Sequence, residues 1–315
     1  MKILAISAGT KNGTNDSMAK EALMGAKDAG ADIEFINLFD LNLKPCTGCV
    51  ACVTGPKTGL MAGEAGDCVI KDDLPWLEDR IEEADGILWA VPVFEKGAPA
   101  IIHIIEDRLF GPSHDAGTNK VAQMIAGKMG KPGPNPRKFL PKVTSFISIG
   151  GSDWGTRVSC IMNTSVMVPM WKVVDDKVFQ WSKSILFEPE KVAEIRQAGA
   201  NLAKAAGDIG NAEYLGDPGL CANCHSRNFF IRDGEAECEV CGARGELRLK
   251  DGRYTFTFPE SELEHVHNRL PGKMAHMDDI YKHESAFMEK LQSGEYMELK
   301  KKYTEFIAGS KPAEG

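Results

Sequence analysis

Eight of the nine cysteines fall into two sets whose spacing suits metal or redox chemistry better than disulfides. Cys46, Cys49, Cys52 and Cys68 share one loop, the fourth thiol following a glycine-rich insert of fifteen residues. Thiols at C-x-x-C-x-x-C spacing converge on one face of a cubane, and a fourth completes the ligands of a [4Fe–4S] cluster. Zinc, a redox-active thiol pair or inert thiols are the alternatives. Cys221, Cys224, Cys238 and Cys241 form two C-x-x-C knuckles thirteen residues apart, within reach of a tetrahedral four-thiolate site. A structural zinc ion is the expected occupant, with an electron-carrying iron as the alternative. Cys160, alone on an expected helix, reads as a small buried hydrophobe.

These thiols need a scaffold, and the hydrophobic pattern supplies one. Residues 2–7, 32–38, 86–93, 142–149 and 171–180 read as strands; 86–93 (GILWAVPV) is a near-continuous apolar run, as a strand covered on both faces must be. Helices are expected over 15–29, 74–84, 98–110, 155–168 and 188–209, with Pro75 suited to a helix N-terminus. The alternation implies an α/β fold, a doubly wound five-stranded parallel sheet. In such sheets ligands bind beyond the carboxyl ends of the strands. The cysteine loop, 44–73, follows the second strand and so faces any cofactor held there.

Residues 111–141 hold several Gly-Pro and Asn-Pro pairs and read as a long excursion. After Gly210 the composition changes. Residues 219–258 combine knuckles with short strand-like runs, as in a small metal ribbon, and 260–308 are charged and helical. Leu263, Met277, Ile280, Tyr281, Phe287 and Leu291 are the candidate contacts of these last helices. The expected units are therefore 1–210, 219–258 and 260–308, with a disordered tail after Gly309.

A formal net charge of −8 over 315 residues argues against a nucleic-acid surface, which needs clustered cations. No apolar run approaches the ~20 residues of a membrane span. The first residues run straight into a strand without the apolar core of a signal peptide. With free-thiol clusters, this favours a reducing cytoplasm.

Three loops at the carboxyl edge could hold a cofactor. Ser7-Ala8-Gly9-Thr10-Lys11-Asn12-Gly13-Thr14-Asn15 joins the first strand to the first helix, offering hydroxyls, backbone N–H groups and a helix N-terminus to a phosphate. Any tight strand-to-helix turn uses the same residue types. Val91-Pro92-Val93-Phe94 ends the third strand and leads to Ile105-Glu106-Asp107-Arg108; Gly150-Gly151-Ser152-Asp153-Trp154 ends the fourth.

With these motifs the chain resembles the flavodoxin-like, NADPH-dependent FMN reductase superfamily, in particular its iron–sulfur flavoprotein branch. That family's G-S-P-R-K-N-G-N-T loop aligns with residues 7–15 without a gap. Its S-P-V-Y loop and F-L-D-R helix end match Val91 to Phe94 and Ile105 to Arg108. Its cysteine loop matches Cys46 to Cys52 and Gly66 to Asp73. The resemblance covers about residues 1–209. The family serine and arginine of the first loop are Ala8 and Thr10 here, which removes a hydroxyl and a bidentate cation.

The resemblance implies FMN, with Ala8, Thr10, Thr14 and Asn15 around its phosphate. It places Pro92, Val93, Phe94, Gly150, Gly151 and Trp154 along its ring. It implies an oxidoreductase that reduces a small organic acceptor or relays electrons to and from protein or small-molecule partners, in a dimer or tetramer. The donor is NAD(P)H or a ferredoxin. The residues themselves identify no catalytic acid or base. A non-enzymatic electron carrier and a redox-sensing regulatory or assembly protein are the alternatives. Fusions of flavodoxin-like domains to rubredoxins exist, but Cys238-Glu-Val-Cys241-Gly242 lacks the rubredoxin proline, and His225 replaces the glycine after the first knuckle. Both departures favour zinc over iron.

Overall fold

Alternate residues of β1 (Lys2–Ser7) face opposite ways, Ile3 and Ala5 toward one layer of helices, Leu4 and Ile6 toward the other. The same division continues across the sheet, with Leu88 and Ala90 on the first side and Ile87, Trp89 and Val91 on the second. Two hydrophobic cores result, one on each face.

The computed structural model describes residues 1–310 apart from residue 112, so the expected tail beyond 310 lies outside it. After β1 come α1 (Thr14–Asp28), β2 (Asp32–Asn37), a single helical turn α2 (Ala51–Thr54) inside the cysteine loop, and α3 (Leu74–Glu83). Then follow β3 (Gly86–Pro92), α4 (Ala100–Ile105), α5 (Ala116–Met129), β4 (Val143–Ile149), α6 (Val158–Met167), β5 (Lys172–Phe179) and α7 (Pro189–Gly207). The strands pair in parallel in the order β2-β1-β3-β4-β5. This is the doubly wound, flavodoxin-like sheet. Helices α1 and α7 cross in direct backbone contact. A Cβ on Gly25 would stand 1.9 Å from the Arg196 carbonyl oxygen, and one on Gly199 1.8 Å from that of Ala22, so both positions require glycine.

Two stretches differ from expectation. The helix after β3 leaves α geometry at Glu106 and continues to Phe110 as a π-helical turn, a feature found mostly at functional sites. Residues 111–141 are not a bare excursion, because they contain α5. Its cap is Asp115, whose carboxylate accepts the Thr118 N–H (2.7 Å), and it ends at Gly130 in the left-handed region.

The second sheet is antiparallel: β6 (Phe229–Arg232), β7 (Glu235–Cys238), β8 (Arg244–Lys250) and β9 (Arg253–Thr257). Its small core contains Cys221, Cys238, Cys241, Val240, Phe256 and Val266, and Met167 of α6 closes it from the larger unit. The Asn228 amide donates to the Thr156 carbonyl (3.2 Å) at the same junction. Two helices follow, α8 (Leu270–Gln292) and α9 (Glu295–Phe306). The start of α8 packs on the larger unit, through Lys273 to Asp115 (2.6 Å) and Met277 against Thr118, and its far end meets α9 through Phe287 and Tyr296 (ring centres 5.2 Å apart). Of the expected contacts, Ile280, Tyr281 and Phe287 are exposed. Among the described residues, no helix is long and apolar enough to cross a membrane.

Candidate functional site

The loop after β1 turns tightly over buried polar groups. The Asp16 carboxylate accepts the Asn12 N–H (2.7 Å) and the Asn37 side-chain amide (2.7 Å), and the same amide also donates to the Gly9 carbonyl (3.0 Å). Asp16 and Asn37 therefore fix the loop on which Ala8, Thr10, Thr14 and Asn15 stand. Neither brace stands out in the sequence; polar residues ending β1's neighbouring strand were the available signal for Asn37. Ala8 is buried, Thr10 is exposed, and Thr14 and Asn15 are half-buried at the first turn of α1. The Asn15 Oδ1 is buried without a hydrogen-bond partner. Lys11 is ion-paired with Asp40.

The loops after β3 and β4 lie beside it, since β1, β3 and β4 are neighbours. Val93 donates its N–H to Ile149 (3.0 Å), which ties the two loops together. Phe94 and Gly97 exchange both backbone hydrogen bonds (2.9 and 2.8 Å) around a two-residue turn. Its central residues, Glu95 (φ 46°) and Lys96 (φ 70°), are both left-handed without being glycine. Arg157 holds the turn from outside, its side chain donating to the Glu95 carbonyl and its N–H to that of Lys96 (2.9 Å). Strain of this kind gathers at functional sites. Phe94 is 60% exposed and Trp154 57%, and the Lys96 ammonium lies 5.2 Å from the Trp154 ring centre.

A fourth loop, after β5, joins this edge and was not singled out from the sequence. Gly150 donates its N–H to Phe179 (2.9 Å), and Trp181 donates to Ser152 (3.4 Å). Trp181 is 66% exposed at φ 54°, a costly conformation for a bulky side chain. The Lys183 side chain lies across Gly151, where a Cβ would meet its Cε at 2.6 Å. Strain is not legible in composition, so no sequence signal marked this loop.

In the cysteine loop, Cys46 and Cys49 are exposed and Cys52 and Cys68 half-buried. Burial pushes the Cys52 thiol up, and the other three thiols add to that by opposing its charge. The Ala51 N–H and the Thr47 side chain draw the Cys49 thiol down. The neck of the loop is closed by Arg108 of the π-helical turn. Its guanidinium is fully buried and forms a two-pronged ion pair with Asp72 (Nη2 to Oδ1, 3.0 Å). It also donates to the Lys44 carbonyl (2.7 Å) and to the Cys68 sulfur (3.4 Å).

The other four thiols meet as a single-ion site requires. The sulfurs of Cys221, Cys224, Cys238 and Cys241 lie within 4.8 Å of one another, with Cys221 to Cys241 at 3.7 Å and Cys224 to Cys238 at 3.5 Å. A tetrahedral zinc with bonds of about 2.3 Å sets sulfurs about 3.8 Å apart. His225, left-handed at φ 60°, turns its ring onto Tyr214 (3.9 Å, 6° between planes) instead of into the site. Between this knuckle and α6 lies a cavity of about 480 Å³ lined by Ser159, Asn163, Asp176, Tyr214 and His225. Cys160 also lines it, half-buried rather than core, with its thiol pushed up to about 11 by burial and by Glu239.

A doubly wound parallel sheet in the order β2-β1-β3-β4-β5, with its loops converging on one carboxyl edge, defines a flavodoxin-like α/β protein. Residues 1–183 match the family model of the NADPH-dependent FMN reductases, and the chain belongs to that family. A solved flavone reductase is 44% identical, covering 99% of this chain and 100% of that one at a TM-score of 0.88. A flavone synthase of Aspergillus candidus is 26% identical over 295 residues, 89% of this chain and 88% of that protein. An iron–sulfur flavoprotein of Methanocaldococcus jannaschii is 34% identical over 109 residues, which cover 34% of this chain and about half (51%) of that protein.

FMN, the family's cofactor, suits the residues present. The unpartnered Asn15 oxygen is an acceptor for a hydroxyl-bearing chain. The first turn of α1 has unsatisfied N–H groups for a phosphate, as every helix start does.

Proposed function

We propose that the protein is an FMN-dependent reductase of planar aromatic acceptors of the flavone class, driven by a nicotinamide nucleotide. The observation that carries this reading is the ring of exposed aromatics, Phe94, Trp154 and Trp181, on strained loops at the carboxyl edge. An exposed aromatic at such an edge buries nothing of its own and is suited to a flat ligand. The end-to-end likeness to a flavone reductase, and to a protein named for making flavones, supports the acceptor class.

In this reading Ala8, Thr10, Thr14 and Asn15 hold the phosphate and ribityl chain. Pro92, Val93, Gly150 and Gly151 offer backbone groups to the ring, and Phe94 and Trp154 cover it and orient the acceptor. Bound FMN supplies the two-electron chemistry. NAD(P)H and one proton are consumed for each acceptor C=C reduced, and oxidised nucleotide and the dihydro product are released. The ribbon at 219–258 holds zinc and stabilises the chain, as a unit of its own between 1–210 and 260–308.

A second reading adds an electron relay through a [4Fe–4S] cluster on Cys46, Cys49, Cys52 and Cys68. The hold of Arg108 on Cys68 favours it, because a loop without a role has no need of a buried cation at its neck. The test is anaerobic turnover of flavone with NADH or NADPH by FMN-loaded protein, with iron and zinc counted on the same sample. A product heavier by two hydrogens supports the reductase. Reduced flavin that is not reoxidised by flavone would refute it, and absence of iron would refute the relay.

A further inference from the structure

His114 follows the π-helical turn and is almost wholly buried (2% exposed), yet neither ring nitrogen has a hydrogen-bond partner. Leaving a buried polar group unpaired costs roughly 1–3 kcal/mol. Two glutamates one turn apart on α3 flank the ring: Glu78 Oε1 lies 3.6 Å from Nδ1, and Glu82 Oε1 3.8 Å from Nε2. Both separations are too long for hydrogen bonds. Glu82 is itself buried, and its other oxygen accepts from the Asn135 side chain.

We propose that Glu78, Glu82 and His114 bind a divalent first-row metal ion, in a site separate from both cysteine sets. One ligand atom from each of the three lies within 4.8 Å of the other two. The two glutamates face different ring nitrogens. Bonds of about 2.0–2.2 Å to a tetrahedral ion space nitrogen and oxygen ligands by about 3.4 Å, so a side-chain shift of up to about 1.4 Å brings both carboxylates to one nitrogen and closes the site. Two carboxylates with one imidazole suit zinc, manganese or ferrous iron; calcium and magnesium prefer oxygen alone. The ion takes one ring nitrogen and ends the isolation of the buried imidazole.

Lys138 is the competitor. Its ammonium is buried 3.0 Å from Glu78 and 2.7 Å from the Ser113 hydroxyl. Lys142, the other buried amine nearby, is committed to the backbone carbonyls of Glu82 and Ala84. Lys138 also donates to the Ala65 carbonyl (3.2 Å), and the Ser113 hydroxyl donates to Glu78 (2.9 Å), so the two carboxylates face one ammonium whose partners besides Glu78 are neutral. A divalent ion balances both carboxylates when that ammonium withdraws, so metal entry and retreat of Lys138 are one event. The site joins α3 to the segment that carries α5.

The test equilibrates the FMN-loaded full chain and three variants with excess Zn²⁺, desalts them and counts zinc per chain by mass spectrometry. His114→Gln and Glu82→Gln are expected to hold one zinc fewer than the unsubstituted protein, with unchanged circular dichroism and flavin absorbance. Lys138→Met is expected to hold the full count and to retain it against about tenfold more chelator, since a like charge is gone. Equal zinc counts in the unsubstituted protein and the folded glutamine variants overturn the site. So does a Lys138→Met protein that keeps zinc no more firmly than the parent, a readout that does not depend on either glutamine variant folding.

Discussion

Arg108 and Asp72 face each other as a fully buried, two-pronged ion pair, and between them they close the cysteine loop at both ends. Asp72 accepts the Lys44 N–H (2.8 Å) where the loop begins, and Arg108 reaches Cys68 where it returns. Burial alone would raise the Asp72 carboxyl. The Arg108 guanidinium and the N–H groups of Lys44 and Leu74 outweigh it and hold the carboxyl below its ordinary range.

Breaking this pair on one side leaves a buried charge with no counter-ion. Asp72→Asn or Arg108→Met is expected to lower stability by about 3–5 kcal/mol in denaturant titrations. The double variant Asp72→Leu/Arg108→Met is expected to recover most of that loss, because it buries no charge. Because Asp72 is depressed, its contribution is present above the unfolded carboxyl range and is lost as the pH falls through the folded value. A double variant no better than either single one would show that the pair matters for a reason other than charge.

The phosphate loop makes a second expectation. Asn15→Ala removes the buried acceptor, and Thr10→Arg restores a cation that the family loop carries and this one lacks. Fluorescence titration should show FMN bound about tenfold or more weakly by the first and about tenfold more tightly by the second. Equal affinities would move the phosphate off this loop.

How much of this was legible in the sequence follows from where the constraint sits. β3 is buried on both faces, so its apolar run marks it almost to the residue. The cysteine knuckles declare themselves by spacing. α5 stayed hidden because Gly117 and Gly127 interrupt its pattern and Gly-Pro pairs flank it, although Asp115 and Gly130 are ordinary cap signals. Arg108 and Asp72 stood in recognisable motifs, but a pairing across 36 positions has no periodicity to betray it. The same holds for Asp16 with Asn37. Glu78 and Glu82 have the four-residue spacing of ordinary helix charge, and only the fold sets buried His114 against them.

If the four thiols of the ribbon hold an ion, as proposed, the ribbon's stability should depend on it. Its apolar core is small and half made of the knuckles themselves, so removing the ion takes away much of what holds it. Cys238→Ser, or prolonged chelation, is expected to unfold 219–258, seen as protease cleavage confined to that segment. Retention of FMN by the cleaved protein would show that the larger unit stands alone. A ribbon that resists cleavage without metal would show that contact with α6 is enough.

Asp176 sets a pH dependence. Burial pushes its carboxyl up to about 6, more than the donors Asn163 (2.7 Å) and Ser159 (3.1 Å) bring it down, and Asp175 and Asp217 add to the rise. The folded state therefore holds this proton more tightly than the unfolded one. The stability it contributes is full below about pH 3.8 and is lost as the pH rises through about 6. Asp176→Asn is expected to flatten that part of the profile and to gain up to about 2–3 kcal/mol on the parent at pH 8. Parallel stability profiles between pH 4 and 7 would remove Asp176 from the account.

The exposed aromatics separate a structural role from a binding one. Phe94 and Trp154 are more than half exposed, so Phe94→Ala and Trp154→Ala should change stability by less than about 0.5 kcal/mol. If they orient a flat acceptor, each should raise its KM about tenfold, an aromatic contact being worth roughly 0.5–1.5 kcal/mol beyond its buried area. Lys96→Gly provides the contrast. It relieves a left-handed residue and should stabilise the chain by about 1 kcal/mol. It also removes the cation beside Trp154, so its effect on the acceptor should depend on whether the acceptor carries a phenolate. A Lys96→Gly protein that is both more stable and equally active on ionised and neutral acceptors would mean the strained turn serves only to present Phe94. Phe94→Ala and Trp154→Ala proteins with unaltered KM would place the acceptor away from this edge altogether.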